Sequence, residues 1–341
     1  MNKFTKRIIP YSAQIELTLK CMGKCRFCSI PSIPDSLKNN EMKTEEVKRI
    51  IDEIHNLKIV ALSFTGGEPT LRKDLPELIK YSGEEKGLIT GLATNGYLIP
   101  QIYKRNGLTG LDYILLSLDY PIDYMHNKMR GVDVFDNAIR TIKLAHKNNV
   151  NVIISTNVMK SNMIYLSQIC KLAEDLGCSI ELYPCEDIVR FYEGVAYRRK
   201  HVKELIPNLD KWAKMIRSLR KRYSNILTDH ISTQIVQEGG FGGRPKHQEF
   251  LRCHVAGAYL FIRHDGKISF PCKIHPLLSF NALKYPLWSL YNMKEVRDII
   301  NEHDQYDFCN GCYLGCAITS SMTAQWNTVY EKYIKGLRNL R

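Results

Sequence analysis

Three cysteines crowd one short segment, Cys21-Met-Gly-Lys-Cys25-Arg-Phe-Cys28, in the spacing C-x3-C-x2-C. Three thiolates on one tight loop can hold three corners of a cuboidal iron–sulfur cluster. No fourth cysteine follows nearby. One iron is then left open to a chelating ligand, and an open coordination position separates a reactive metal centre from a structural one. A zinc knuckle and plain buried thiols are the alternatives. Zinc wants a fourth Cys or His close by, and His55 lies far along the chain.

A second group comprises Cys253, Cys272, Cys309, Cys312 and Cys316, with Gly266 between the first two. Hairpin cysteines plus a distal set make a four-thiolate site, so one thiol of the five is spare or the ligand set is unusual. Tetrahedral zinc suits four thiolates as well. Cys170, within a helix, and Cys178, just after that helix's stop, read as core residues. Cys185 follows the last strand of the repeat described below, where it is expected to face a cavity as a candidate hydrogen-atom donor. Eleven cysteines are an odd number, which argues against a pure disulfide framework.

These groups need a scaffold, and the first two-thirds of the chain supplies alternating strands and helices. Ser12–Leu19 alternates as a strand and delivers the first cysteine loop at its C-terminal end. Thr44–Leu57 reads as a helix capped by Thr44, with Val47, Ile50, Ile51 and Ile54 on one face. Strands follow at Ile59–Phe64, Leu88–Thr94, Tyr113–Leu118, Val150–Val158 and Ile180–Tyr183. Helices at Asp74–Glu85, Phe135–His146 and Ile164–Leu176, the last stopped by Gly177, intervene. Such alternation implies parallel strands with right-handed crossovers, here a partial (β/α)6 TIM-like barrel of α/β class. Ligands of such sheets bind at the strands' C-terminal ends, where the unusual residues also fall.

After Cys185 the pattern changes. Leu209–Tyr223 is an amphipathic helix with Trp212, Met215, Ile216 and Leu219 on one side and Lys211, Lys214, Arg217 and Lys221 on the other. Gly239–Gly243 reads as a flexible joint. Tyr259–Arg263 and Lys267–Phe270 form a hairpin about a His264-Asp265-Gly266 turn. A helix over roughly Ser321–Leu340 closes the chain. The expected domains are a core over 1–200, a basic helix and Gly-rich linker over 201–250, and a small cysteine-bearing domain of β-hairpin plus helices over 251–341.

Cys-x3-Cys-x2-Cys after a first strand, with Phe27 before the last cysteine, resembles the signature of the radical S-adenosylmethionine (SAM) superfamily. The resemblance continues in Gly66-Gly67-Glu68-Pro69, Thr94-Asn95-Gly96, Ser117-Leu118-Asp119 and His126-x3-Arg130-Gly131, in order along residues 12–185. The resemblance implies that SAM chelates the open iron through its amino and carboxylate groups. The backbone of Gly66, Gly67 and Glu68 would accept from the amino group, and Arg130 would pair with the carboxylate. Ser117 and Asp119, placed on one face by alternation, would reach the ribose hydroxyls. Phe27 would lie against adenine, with Asn95 and Asn157 as further polar contacts. The implied chemistry is reductive cleavage of SAM at a 4Fe–4S cluster to a 5′-deoxyadenosyl radical, which abstracts hydrogen from a substrate. Substrate classes in view are a peptide, a cofactor precursor, a lipid or another small molecule. The C-terminal cysteines resemble the auxiliary-cluster extensions called SPASM or twitch, in a shortened form with one auxiliary 4Fe–4S cluster. An electron donor such as ferredoxin or flavodoxin is the implied partner, and anaerobic conditions are implied with it.

Composition bounds the rest. The 341 residues carry a net charge of +13, and positions 187–223 hold eleven Lys/Arg against four Asp/Glu. Such a stretch attracts an anionic substrate or an acidic peptide, or is a solvated helix face. A non-catalytic zinc or iron–sulfur protein binding nucleic acid through the basic Arg198–Arg222 region is the competing reading, and it leaves the glycines and Ser117/Asp119 without a purpose. No apolar run is long enough to span a membrane and no signal peptide is visible, so a cytoplasmic location is expected.

Overall fold

The computed structural model describes residues 9–105, 107–242, 252–302 and 304–323. Six strands alternate with helices as expected: β1 (Ser12–Thr18), β2 (Ala61–Gly66), β3 (Ile89–Thr94), β4 (Tyr113–Ser117), β5 (Asn151–Val158) and β6 (Ser179–Pro184). They pair in parallel in sequence order. Among helices longer than one turn, α1 (Thr44–Asn56), α2 (Leu75–Lys80), α3 (Ile99–Arg105), α4 (Asp123–Arg130), α5 (Phe135–Lys147) and α6 (Leu166–Asp175) lie between them. This is the α/β architecture of a partial barrel, and its strand ends converge on one side.

The local chemistry explains the elements. Val47, Ile50, Ile51 and Ile54 of α1 are all fully buried, one stripe at helical spacing. Thr44 is the first helical residue rather than the cap. The capping position is Lys43, whose N–H donates to Glu46 Oε2 at 2.7 Å, while Thr44 Oγ1 donates to Asp74 Oδ2 at 2.8 Å. Helix α2 runs on into a π-helical turn, Tyr81–Glu85. Gly177 ends the turn after α6 with φ +68°, as a C′ glycine does.

Beyond β6, a two-stranded ribbon forms from β7 (Arg190–Tyr192) and β8 (Val195–Tyr197). Then come α7 (Leu209–Arg220) and α8 (His230–Gln237), packed on each other. Trp212, Ala213, Ile216 and Leu219 of α7 are buried. Lys211, Lys214 and Lys221 stand exposed, so much of the basic stretch is a solvated helix face.

Two further expectations need correction. The Gly239–Gly242 part of the expected flexible joint is packed structure: Phe241 is buried, its N–H donates to Cys312 O at 2.6 Å, and Gly311 N–H donates back to Phe241 O at 2.9 Å. Gly240 has φ +92°, and a Cβ there would sit 2.5 Å from Cys312 O, so glycine serves close approach and not motion. The C-terminal hairpin, β9 (Tyr259–Ile262) and β10 (Lys267–Pro271), gains a third strand, β11 (Pro276–Asn281). It also joins the main sheet: β9 runs parallel to β1, giving the order β11-β10-β9-β1-β2-β3-β4-β5-β6. The described helices of this region are α9 (Leu287–Asn292), α10 (Lys294–Asn301) and α11 (Gly315–Thr323). The rest of the expected C-terminal helix, and Gly243, lie outside the described residues. One hydrophobic cluster runs from Ala13 to Met322 through both parts. No described helix is long and apolar enough to cross a membrane.

Candidate functional site

The cysteine loop leaves β1 and is stitched down on two sides. On one side, Gly67 N–H donates to Thr18 O at 2.7 Å and Glu68 N–H to Lys20 O at 2.9 Å. A Cβ on Gly67 would fall 2.3 Å from Lys20 O, so only glycine lets the β2 turn approach this closely. On the other side, Lys24 N–H donates to Arg130 O at 2.9 Å and Arg26 N–H to Met129 O at 3.2 Å, which ties the loop to the end of α4. Gly131 follows with φ +63°, closing that helix.

A cavity of about 220 Å³ opens at the strand ends between these supports. Cys21, Cys25 and Cys28 line it together with Phe27, Gly66, Gly67, Glu68, Asn95, Ser117 and Arg130. A neighbouring cavity of about 300 Å³ shares Phe27, Cys28, Ser117 and Arg130 and extends past Asn157 to Tyr183 and Glu186. Burial pushes the Cys21 thiol up to about 12. Burial raises Cys25 as well, against the opposing pull of Arg130. Protonated thiols are what buried cysteines hold until a cation displaces the proton.

Glu68 is buried and its carboxylate joins two strand ends. Oε1 accepts from Thr70 Oγ1 at 2.6 Å and Thr94 Oγ1 at 2.7 Å, and Oε2 accepts from Asn95 N–H at 2.8 Å. Asn95 Oδ1 in turn accepts from Tyr97 N–H at 2.8 Å and its amide reaches Met22 Sδ at 3.4 Å. Both side chains thus brace the loop.

Asp119 does not stand beside Ser117. The strand ends at Ser117, so the alternation that would align the two stops there. Asp119 is wholly buried and pairs with Arg130 Nε at 2.7 Å, and its Oδ1 accepts from Asn157 N–H at 3.0 Å. It lines neither cavity. Arg130 stays in the wall of both, its guanidinium 5.2 Å from the Phe27 ring centre. His126, one helical turn before Arg130, accepts from Asp119 N–H through Nδ1 at 3.1 Å. Burial first, and then the nearby Arg130 charge, lower its basicity to about 3, so the ring is a neutral acceptor. Sequence reasoning misses that supporting role, for which the i, i+4 spacing of His126 and Arg130 is the only signal.

Cys185 is also displaced from its expected place. Its side chain is fully buried among Tyr120, Met129, Met159 and Val202, and it lines neither cavity. Burial pushes its thiol up to about 12, which suits a core residue and not a donor facing a substrate. Cys170 and Cys178 are core residues as expected.

Cys253, Cys272, Cys309, Cys312 and Cys316 all line one further, mostly apolar cavity under the C-terminal hairpin. Its loops are held by His275 N–H to Cys272 Sγ at 3.4 Å, Ser321 Oγ to Cys253 Sγ at 3.9 Å and Cys312 N–H to Cys309 O at 3.1 Å. Among the described residues no three His, Cys, Asp or Glu side chains converge on a point close enough for a single metal ion.

Residues 15–173 match the Radical SAM superfamily. Over 161 residues the chain is 35% identical to the Fe-coproporphyrin III synthase of Methanosarcina barkeri, covering 47% of this chain and 40% of that protein. It is 24% identical over 261 residues to the PqqA peptide cyclase of Bradyrhizobium diazoefficiens, covering 74% of this chain and 66% of that one. The chain therefore spans less than two thirds of the length of these relatives. The solved structure of native anSMEcpe with bound AdoMet shares the fold, with a TM-score of 0.64 at 17% identity over 97% of this chain and 99% of that chain. The cysteine loop and every motif from Gly66-Gly67-Glu68 to Arg130 fall inside residues 15–173, and it is this segment that matches the Radical SAM superfamily.

Proposed function

We propose that the chain is an enzyme that cleaves SAM reductively at a 4Fe–4S cluster held by Cys21, Cys25 and Cys28, and that the resulting 5′-deoxyadenosyl radical takes a hydrogen atom from a substrate in the strand-end cavity. One observation carries the reading. Three thiols on a single loop share a cavity with Phe27, Ser117 and the Arg130 guanidinium, so donors for a metal group stand beside partners for an adenosyl and an amino-acid tail. The family's resident groups are a 4Fe–4S cluster and SAM.

Within this reading the chain's own residues bind and orient. Arg130 receives the SAM carboxylate through the guanidinium nitrogens that Asp119 leaves free, since a planar fork suits two oxygens. Phe27 offers an apolar face for adenine and Ser117 a hydroxyl for the ribose. Asn157, in the wall of the wider cavity, faces the same ligand. Asp119 holds Arg130 in place and takes no ribose contact. Gly66, Gly67 and Glu68 set the distance between the cavity floor and the cysteine loop. Four of the five C-terminal cysteines hold one auxiliary 4Fe–4S cluster, and a small acidic electron carrier such as ferredoxin or flavodoxin supplies the electron.

The test is anaerobic reconstitution with iron and sulfide, followed by dithionite and SAM. 5′-Deoxyadenosine is expected from the reconstituted chain and is abolished by Cys25→Ala. An N-terminal loop that takes up zinc and no iron, with no 5′-deoxyadenosine formed, overturns the reading and returns the chain to the metal-bound nucleic-acid binder.

A further inference from the structure

The wider cavity has one acidic side chain with no cationic partner among the ion pairs of the described residues. Three charged side chains line it: Arg130, Arg190 and Glu186. Arg130 is matched by Asp119 at 2.7 Å and Arg190 by Glu16 at 2.6 Å. Glu186 lies two residues past β6, and its Oε1 accepts from Gly315 N–H at 2.9 Å, at the first residue of α11 between Cys312 and Cys316. Its Oε2 is shielded from solvent and has no hydrogen-bond partner among the described residues. The Lys273 charge offsets that burial only in part. Burial raises the Glu186 carboxyl to about 8, so at neutral pH it keeps its proton until a cation is brought beside it.

Burying a carboxylate oxygen without a donor costs free energy, and native structures seldom keep such a group without a use. Position gives it one. Glu186 shares a cavity with Cys28, Phe27 and Ser117 on one side and hydrogen-bonds the C-terminal cysteine segment on the other. A substrate lying between the two cysteine groups must pass this carboxylate.

We propose that Glu186 is a substrate-anchoring residue: its carboxyl turns the unpartnered oxygen into the cavity, releases its proton to solvent and receives an N–H-bearing cationic group, an ammonium or amidinium, carried by the substrate. This rests on the strand-end cavity being the reaction chamber. It selects among substrate chemistries: an amine- or guanidine-bearing molecule such as a basic peptide segment completes the site, whereas a polycarboxylate brings no cation to take the place of the proton. The relatives' names, a coproporphyrin-derived product in one and a peptide in the other, leave that choice open.

The experiment uses the reconstituted full chain with SAM and two probes, agmatine and coproporphyrin III, titrated calorimetrically under anaerobic conditions. Agmatine is expected to bind, with affinity falling at least about tenfold in Glu186→Gln and largely kept in Glu186→Asp, which retains the charge. A tenfold loss corresponds to about 1.4 kcal/mol. Agmatine binding unchanged in Glu186→Gln, no agmatine binding at all, or coproporphyrin III binding more tightly than agmatine to the unmodified chain each overturns the proposal. Iron content and melting temperature identify a variant that has failed to fold, in which case Glu186→Asp against the unmodified chain decides. 5′-Deoxyadenosine formation is measured in parallel without probe. Its absence from the unmodified chain counts against SAM cleavage, whereas its presence with no effect of Glu186→Gln on agmatine counts against the anchor alone.

Discussion

Position 67 is where two loops occupy nearly the same space. A methyl group there meets Lys20 O at 2.3 Å and Leu19 O at 2.8 Å, both backbone atoms of the segment entering the cysteine loop. Gly67→Ala is therefore expected to push that loop away and lower 5′-deoxyadenosine formation about 100-fold, the scale of a misplacement near 1 Å. Gly87→Ala is the control, since Gly87 has positive φ but nothing within 4 Å of the added carbon. Rates and iron per chain are read for both, and equal losses in the two variants would reject the steric account. Asp119 invites a second test. If it anchors Arg130, Asp119→Ala leaves a buried guanidinium unpaired and costs about 3–5 kcal/mol in urea unfolding, much of it recovered in the double variant with Arg130→Met. A residue that only bound a ribose would leave stability unchanged and weaken SAM binding instead. Spacing marks the three cysteines as site residues, and the resemblance of Gly66-Gly67-Glu68-Pro69 to a family motif marks Gly67. Asp119 and Cys185 fall elsewhere than their sequence suggests, because alternation along a strand says nothing once the strand has ended.

The elements show the same division. Each of the six parallel strands is visible from its own residues, because a buried strand and an amphipathic helix write their periods locally. The parallel pairing of β9 with β1 is not, since a partner almost 250 residues away leaves no local trace. That pairing is buttressed by a charged group inside β1. Glu16 is almost completely buried, and Arg190 of β7 donates to it at 2.6 Å, Tyr192 at 3.3 Å, with His264 of the hairpin turn 3.7 Å away. Burial alone would raise its carboxyl; Arg190 and His264 outweigh burial and hold it at about 2. Folded below its unfolded value of 4.5, the group contributes its full share above pH 4.5 and loses it as pH falls towards 2. Arg190→Met strands this carboxylate, with an expected loss of about 3–5 kcal/mol at pH 7 by urea unfolding. The same substitution placed on a Glu16→Gln background should cost far less. Equal costs on the two backgrounds would show that the ribbon, and not the ion pair, is what Arg190 supports.

At the scale of the molecule, the hairpin expected to belong to a small separate domain is the continuation of the main sheet. Nine strands form one layer, and one hydrophobic cluster includes Ile15 and Leu17 of β1 along with Leu260, Ile262, Ile268 and Ile318. Composition carries no hint of this, because apolar strands look alike whether they close one core or two. The consequence is cooperative: β1 is an interior strand only while β9 is beside it. A chain ended at Gly242 would leave the Ser12–Ile15 edge of β1 with open N–H and C=O groups, and would leave Glu16 without His264. Open, apolar strand edges pair with other chains. The shortened protein is thus expected to elute as large aggregates in size-exclusion chromatography, and the full chain to unfold in one transition with the amides of β1 and β9 exchanging at the same rate-limiting opening. A monomeric shortened protein that retains the first cluster's iron, or amides of β9 that open well before those of β1, would mean that the hairpin is an appendage and that the two cysteine groups are held by bodies able to fold apart.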